Sequence, residues 1–166
     1  MIKKYLWYLD KEVFWVEYEY SFKVDSLDEY KKYCEENGYV KRLEYDQVRE
    51  LFTSDNKVLA RITTTKTGEN TDVFLDFKDD DDSDKVYKES RETIPLKVTD
   101  ENRGAIDSIL NILGYKKKKH LVRTRYIYKK GRVKFEMDDY REPEIMHVVA
   151  IEGDRDEVTK VYNEIK

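Results

Sequence analysis

Charged side chains recur at two-residue spacing along several extended stretches of this chain. Glu17 and Glu19 alternate with Val16, Tyr18, Tyr20 and Phe22. Arg61 shares a face with Thr63 and Thr65, Lys78 with Asp76, Arg91 with Glu89 and Thr93, and Arg123 with Arg125. Arg132, Lys134, Glu136 and Asp138 share another, and Glu152 sits with Ala150 and Val148. Side chains of a strand point to opposite faces in turn, so each stretch has one charged and one apolar or aromatic face. Charges turned into a protein interior must be paired or bound to a ligand. Arginine and lysine grip phosphate oxygens, arginine as a bidentate fork. Carboxylates suit a hard divalent cation such as Mg²⁺ or Mn²⁺. An inward-facing set of both kinds would hold a triphosphate together with metal. The opposite orientation, apolar inward and charged outward, gives an ordinary sheet, and the alternation alone does not choose between them.

The elements that must carry these residues follow in order. Lys3 to Leu9 and Val13 to Val24 read as a hairpin around Asp10-Lys11-Glu12. Ser26 and Glu29 form a capping box for a helix from about Leu27 to Asn37, stopped at Gly38, with Leu27, Tyr30, Tyr33 and Cys34 as its apolar stripe. Extended segments follow at Tyr39–Thr53, Lys57–Thr65, Asp72–Lys78 and Lys85–Leu96, the last ending near Pro95. The acidic run from Asp79 to Asp84 lacks the glycine and glutamate of a calcium loop and reads as a solvated hairpin loop. Thr99 or Asp100 caps a second helix with Ile106, Ile109, Leu110 and Leu113 as its stripe, closed by Gly114. The strand from Lys116 to Tyr128, the turn at Gly131, strands Arg132–Asp139 and Ile145–Glu152, and a short helix begun by Asp154 and Glu157 complete the chain. Hairpins and single helices connect every strand. The expectation is an α+β fold, a closed antiparallel eight-stranded β-barrel with flanking helices.

The totals set bounds. The 166 residues make one domain, with residues 1–12 as an extra N-terminal strand and turn. Charged residues reach 41%, with 32 basic against 36 acidic, and a net charge of −4 argues against a nucleic-acid binder. The four consecutive lysines from Lys116 to Lys119 read as a solvated strand end. One cysteine, Cys34, rules out an intrachain disulfide and reads as a packing residue. The single cysteine fits a reducing cytoplasm, and no apolar run approaches about 18 residues, so no membrane helix is expected.

Over about residues 13 to 166 the order of motifs resembles the CYTH domains, or triphosphate tunnel metalloenzymes, which include class IV adenylyl cyclases and thiamine triphosphatases. Glu17 and Glu19 match the glutamates of a Glu-x-Glu-x-Lys signature, with Ser21 in place of the lysine. Ala60-Arg61-Ile62-Thr63 matches Leu-Arg-Ile-Arg with its second arginine lost. Lys78 ends a matching strand. Arg91-Glu92-Thr93 matches Arg-x-Glu with the glutamate replaced. Leu113-Gly114-Tyr115, Arg123-Thr124-Arg125, Met137-Asp138 and Ala150-Ile151-Glu152 correspond to later motifs, the last lacking its first glutamate.

The resemblance implies a tunnel in which Arg61, Lys78, Arg91, Arg123 and Arg125 hold the triphosphate. Glu17 and Glu19 would serve catalysis, and Glu17, Glu19, Asp138, Glu152 and, more weakly, Glu136 would bind Mg²⁺ or Mn²⁺. The substrate would be a nucleoside triphosphate, inorganic triphosphate or thiamine triphosphate, hydrolysed or cyclised. Losses at Ser21, Thr93 and Ala150 imply weaker metal binding; Lys23 and Lys134 are the nearest cations to replace the missing lysine. A tunnel that binds a phosphorylated ligand without turnover, and an interaction domain using the aromatic face or Lys116–Lys119, are the competing readings. The N-terminal strand leaves room for a homodimer.

Overall fold

Long stretches of period-two alternation, broken at glycine-containing turns, fold as strands, and capped stretches of helical period fold as helices. The computed structural model describes residues 7–9, 12–79 and 86–166, apart from the side chains of 7–9, 12–17 and 87–90. In chain order the elements are β1 (Trp7–Leu9), β2 (Glu12–Val24), α1 (Asp28–Glu36), β3 (Val40–Thr53), β4 (Val58–Thr67) and β5 (Asn70–Asp79). Then come β6 (Tyr87–Glu92), β7 (Leu96–Lys97), α2 (Asp100–Ile112), β8 (Lys116–Lys130), β9 (Val133–Glu142), β10 (Met146–Gly153) and α3 (Arg155–Ile165). The acidic run beyond Asp79, residues 80–84, lies outside the described residues.

The strands pair antiparallel in the order β1-β2-β10-β9-β8-β3-β4-β5-β6, with β7 on β5. β6 also ladders with β2, from Trp15↔Glu92 to Tyr20↔Tyr87, so the sheet curls round toward itself. Its meeting with β5 is much thinner. The register there is the single pair Lys78↔Glu92. Beside it Thr93 N–H donates to the Phe77 carbonyl at 3.0 Å, and Phe77 N–H donates to Thr93 Oγ1 at 3.0 Å. The closed eight-stranded barrel expected from the sequence is corrected here: the sheet is open and curled, splayed at the β5–β6 seam. β6 has six residues against ten in β5, and Pro95, with no N–H to give a ladder, follows it.

Two apolar clusters cover the convex side. Leu27, just before α1, and Cys34 of α1, with Val158, Val161 and Tyr162 of α3, pack on Phe135 and Met137 of β9 and Val149 and Ile151 of β10, with Tyr20 and Phe22 of β2 alongside. Ile106 and Leu110 of α2 pack on Ala60 and Ile62 of β4 and Leu75 of β5. The helices therefore claim the apolar face of each strand, and the charged face is left to line the concave side. Cys34 is fully buried, and burial, helped by Glu35, pushes its thiol up to about 12, as expected of an unreactive packing cysteine.

Helix starts differ in quality. Thr99 caps α2 in a reciprocal box with Asn102, and Asp154 caps α3 by accepting from the N–H groups of Asp156 and Glu157. The Ser26/Glu29 box expected for α1 is corrected: Leu27 is the cap residue, with no side-chain cap bond, and Ser26 Oγ only accepts from Asp28 N–H at 3.1 Å. In α2, Ile109 and Leu113 belong to the expected stripe but lie exposed, because only Ile106 and Leu110 face the sheet. Gly153 has a specific task. A Cβ there would sit 2.4 Å from the Arg132 carbonyl oxygen, and its φ of +148° suits glycine, so β10 can end hard against the β8–β9 turn.

Candidate functional site

The concave side encloses a cavity of about 480 Å³. Among the described residues, six cations line it, Arg49, Arg61, Lys78, Arg123, Arg125 and Lys134, and six carboxylates, Glu19, Asp76, Glu92, Glu136, Asp138 and Glu152. Strand alternation puts them there. On β9, Phe135 and Met137 are buried under the helices, so Lys134, Glu136 and Asp138 face the cavity. On β4, Ala60 and Ile62 go under α2, so Arg61 and Thr63 face inward. Of the two orientations open to the sequence, the charged-inward one is found.

The charges are distributed unevenly. β3, β4 and β8 contribute Arg49, Arg61, Arg123 and Arg125, and no carboxylate. β2, β9 and β10 contribute Glu19, Glu136, Asp138 and Glu152, with Lys134 as their cation. β5 and β6 close the remainder with Asp76, Lys78 and Glu92. Asp138 is the hub of the β8–β9 side. Arg125 donates to both its oxygens at 2.7 Å, and Arg123 Nη1 donates to Oδ2 at 2.6 Å. Arg123 also donates to Tyr140 OH at 2.7 Å and, from Nε and Nη2, to Gln47 Oε1 at 3.0 and 2.7 Å. Arg125 pairs with Glu136 as well. Lys134 Nζ lies 2.6 Å from both Glu136 and Glu152. Across the cavity Arg61 forks onto Asp76 at 2.8 and 2.5 Å and reaches Glu92 at 3.1 Å. Lys78 lies 3.2 Å from Glu92 and 3.9 Å from Glu19.

The electrostatics follow the pairing. Burial alone would raise the Glu136 carboxyl; Arg125 and Lys134 outweigh it and hold the group well below the usual carboxylate range. Burial would lower Arg125, but Asp138 and Glu136 hold it well above its ordinary value. Arg49 behaves in the opposite way. Burial, then the guanidiniums of Arg123, Arg61 and Arg125, push it down to about 9. It stays charged at neutral pH, in a place that disfavours positive charge.

Of the residues singled out in the sequence, Glu19, Arg61, Lys78, Arg123, Arg125, Glu136, Asp138 and Glu152 converge on this cavity. Arg91 does not. Its side chain is 57% exposed and its Nε lies 2.7 Å from Asp79. Glu92, one residue on, takes the inward position and pairs with Arg61 and Lys78. The side chain of Glu17 lies outside the described residues. Lys23 is exposed, whereas Lys134 stands in the cavity among the acidic residues. Arg49 lay unmarked in the sequence, Asp76 was placed on the charged face of Lys78 without a site role, and Glu92 was passed over between Arg91 and Thr93. For Arg49 the signal was the Tyr45, Gln47, Arg49 alternation on β3.

The carboxylates can be tested against a divalent cation. Among the described residues no three potential ligands cluster. Glu19 and Glu152, however, stand directly opposite each other on β2 and β10. Two like charges so placed repel and are relieved by a cation between them. Mg²⁺ commonly takes one or two carboxylates and completes its shell with water and phosphate oxygens, so this oxygen-donor pair fits such an ion.

No protein-family model and no curated protein matches the chain. Solved structures do. The PH1012 protein of Pyrococcus horikoshii OT3 aligns with TM-score 0.67 at 22% identity, covering 90% of this chain and 87% of that one. HpAC1 of Hippeastrum, assigned as an adenylyl cyclase and described with a dominant triphosphatase activity, aligns with TM-score 0.64 at 10% identity over 89% and 84%. A chain of the Schizosaccharomyces pombe Mediator head module aligns with TM-score 0.59 at 10% identity over 91% and 92%. These are likenesses of fold, and they support the CYTH resemblance at that level. Among the described residues no helix is long and apolar enough to cross a membrane.

Proposed function

We propose that the cavity binds a triphosphate-bearing small molecule and that the protein hydrolyses it as a tunnel-type triphosphatase. The observation that carries this reading is the convergence, among the described residues, of six cations and six carboxylates on one concave cavity. Burying so many charges is costly unless they serve a ligand or one another. The arginines of β3, β4 and β8 would take the phosphate oxygens. Glu19 and Glu152 would hold Mg²⁺ or Mn²⁺, which would neutralise phosphoryl oxygens and polarise the terminal phosphoanhydride. Water attack would form one P–O bond and break the bridging P–O bond, giving orthophosphate and a diphosphate, with the water proton released to solvent. Lys134 lies beside Glu136 and Glu152, where it would counter charge on the phosphoryl group. The fold likeness to the Hippeastrum protein is consistent with this chemistry.

Metal and triphosphate should bind together. Arg61, Arg123 and Arg125 are paired with carboxylates, so each of them that turns to a phosphate releases one, and the released carboxylates need a new cation. Phosphate release from inorganic triphosphate, ATP and thiamine triphosphate, each with Mg²⁺ and Mn²⁺, tests the reading. Turnover that disappears in Glu17→Ala/Glu19→Ala is expected; no turnover above that double variant overturns the hydrolase. A second reading, binding without turnover, is favoured by Ser21 and Ala150, which line the cavity where the motif pattern has lysine and glutamate. It expects a melting shift with triphosphate and no product.

A further inference from the structure

Arg49 is out of keeping with the other cavity cations. A guanidinium carries five N–H donors. In Arg123 and Arg125 these are spent on Asp138, Glu136, Gln47 and Tyr140, and in Arg61 on Asp76 and Glu92. Arg49 makes one hydrogen bond among the described residues, a long one of 3.4 Å from Nε to Thr63 Oγ1, and no ion pair. Its neighbours Gln47 and Arg123 already satisfy each other, and Gln47 Nε2 donates to Thr65. Nothing in the β3–β4–β8 wall supplies a counter-charge. The backbone sets its position: β3 pairs Arg49 with Thr63 on one side and Leu121 on the other, and the side chain lines the cavity.

We propose that Arg49 heads a subsite for a single tetrahedral phosphate group, roofed by Thr63 and bounded by the guanidiniums of Arg61, Arg123 and Arg125. The inference rests on the cavity being a triphosphate site and adds which residue takes the first phosphate. An incoming phosphate displaces no carboxylate from Arg49, whereas every other arginine must give one up. Arg49 is therefore the anchor, and the rest of the ligand then competes for the paired arginines.

The test measures affinity and unliganded stability together. Inorganic triphosphate is titrated calorimetrically into the wild-type chain, Arg49→Met, Arg49→Lys and, as a charge-loss control, Arg103→Met, whose arginine pairs with Glu50 and Asp107 outside the cavity. Loss of a charge-assisted contact predicts about a tenfold or greater weakening in Arg49→Met, partial recovery in Arg49→Lys and no change in Arg103→Met. Removing an uncompensated cation also predicts that unliganded Arg49→Met melts at or above the wild-type temperature, which a scaffold residue would not do. Wild-type affinity in Arg49→Met overturns the subsite while leaving the triphosphate reading intact. Weakening accompanied by a lower unliganded melting temperature assigns Arg49 to the scaffold and also overturns it. If the wild type itself takes up no triphosphate, the functional reading fails and the subsite with it.

Discussion

Arg125 and Arg49 line the same cavity and meet opposite surroundings. Arg125 lies between Asp138 and Glu136, which hold its proton tightly; Arg49 faces three other guanidiniums and a threonine hydroxyl, and its proton is loosened to about 9. The difference separates two kinds of buried charge. The Arg123–Arg125–Asp138–Glu136–Lys134–Glu152 group is compensated and holds β8, β9 and β10 in register across the cavity. The Arg49 corner is uncompensated, and its charge has a use once an anion arrives. The compensated network thus carries stability while its arginines still border the ligand, and Arg49 alone is held without a carboxylate until an anion arrives, in keeping with the general trade between a stable fold and a strained site.

The sharpest way to break this contrast is to cut the compensated end. Arg125→Ala leaves Asp138 and Glu136 buried with fewer partners and should destabilise by about 3–5 kcal/mol in denaturant unfolding; a loss under about 1 kcal/mol would make the network ornamental. Core truncation gives the reference value. Phe135→Ala, at a fully buried site beneath Tyr33 and Tyr39, should cost about 3–5 kcal/mol. Acid should act on the same end. Glu136 is held below its ordinary 4.5, so its stabilising contribution is complete above that value and is lost as pH falls through the lower, folded-state value. Glu136→Gln should flatten that limb of the stability–pH curve. The smallest effect belongs to Arg91→Ala. Its pair with Asp79 is exposed, so less than about 1 kcal/mol is expected, with triphosphate affinity unchanged.

Much of the fold was legible because period-two alternation and turn glycines are local signals. Gly38, Gly68, Gly114 and Gly131 all take positive φ at the turns where the pattern breaks. Cys34 was legible as core for the same reason. The direction in which the charged faces point was not, because alternation is symmetric; only the helices, by claiming Phe135, Met137 and Ile62, decided it. The seam was illegible too. An Arg-x-Glu motif drew attention to Arg91, but across the narrow β5–β6 junction it is Glu92 that meets Lys78, while Thr93 fastens to Phe77. Arg49 carried a readable pattern that matched no motif. Its meaning, a cation without a carboxylate, exists only once the other strands are assembled around it. Lys134 lies similarly off the motif, on the face that alternation assigned to it.

A crystal structure grown with inorganic triphosphate and Mn²⁺ tests the central claim most directly. Phosphate density against Arg49, Arg61, Arg123 and Arg125, with an anomalous manganese peak at Glu19 and Glu152, is the expected result. Ligand bound only on the convex surface, or a cavity in which Arg61, Arg123 and Arg125 keep their ion pairs at saturating triphosphate, would contradict it.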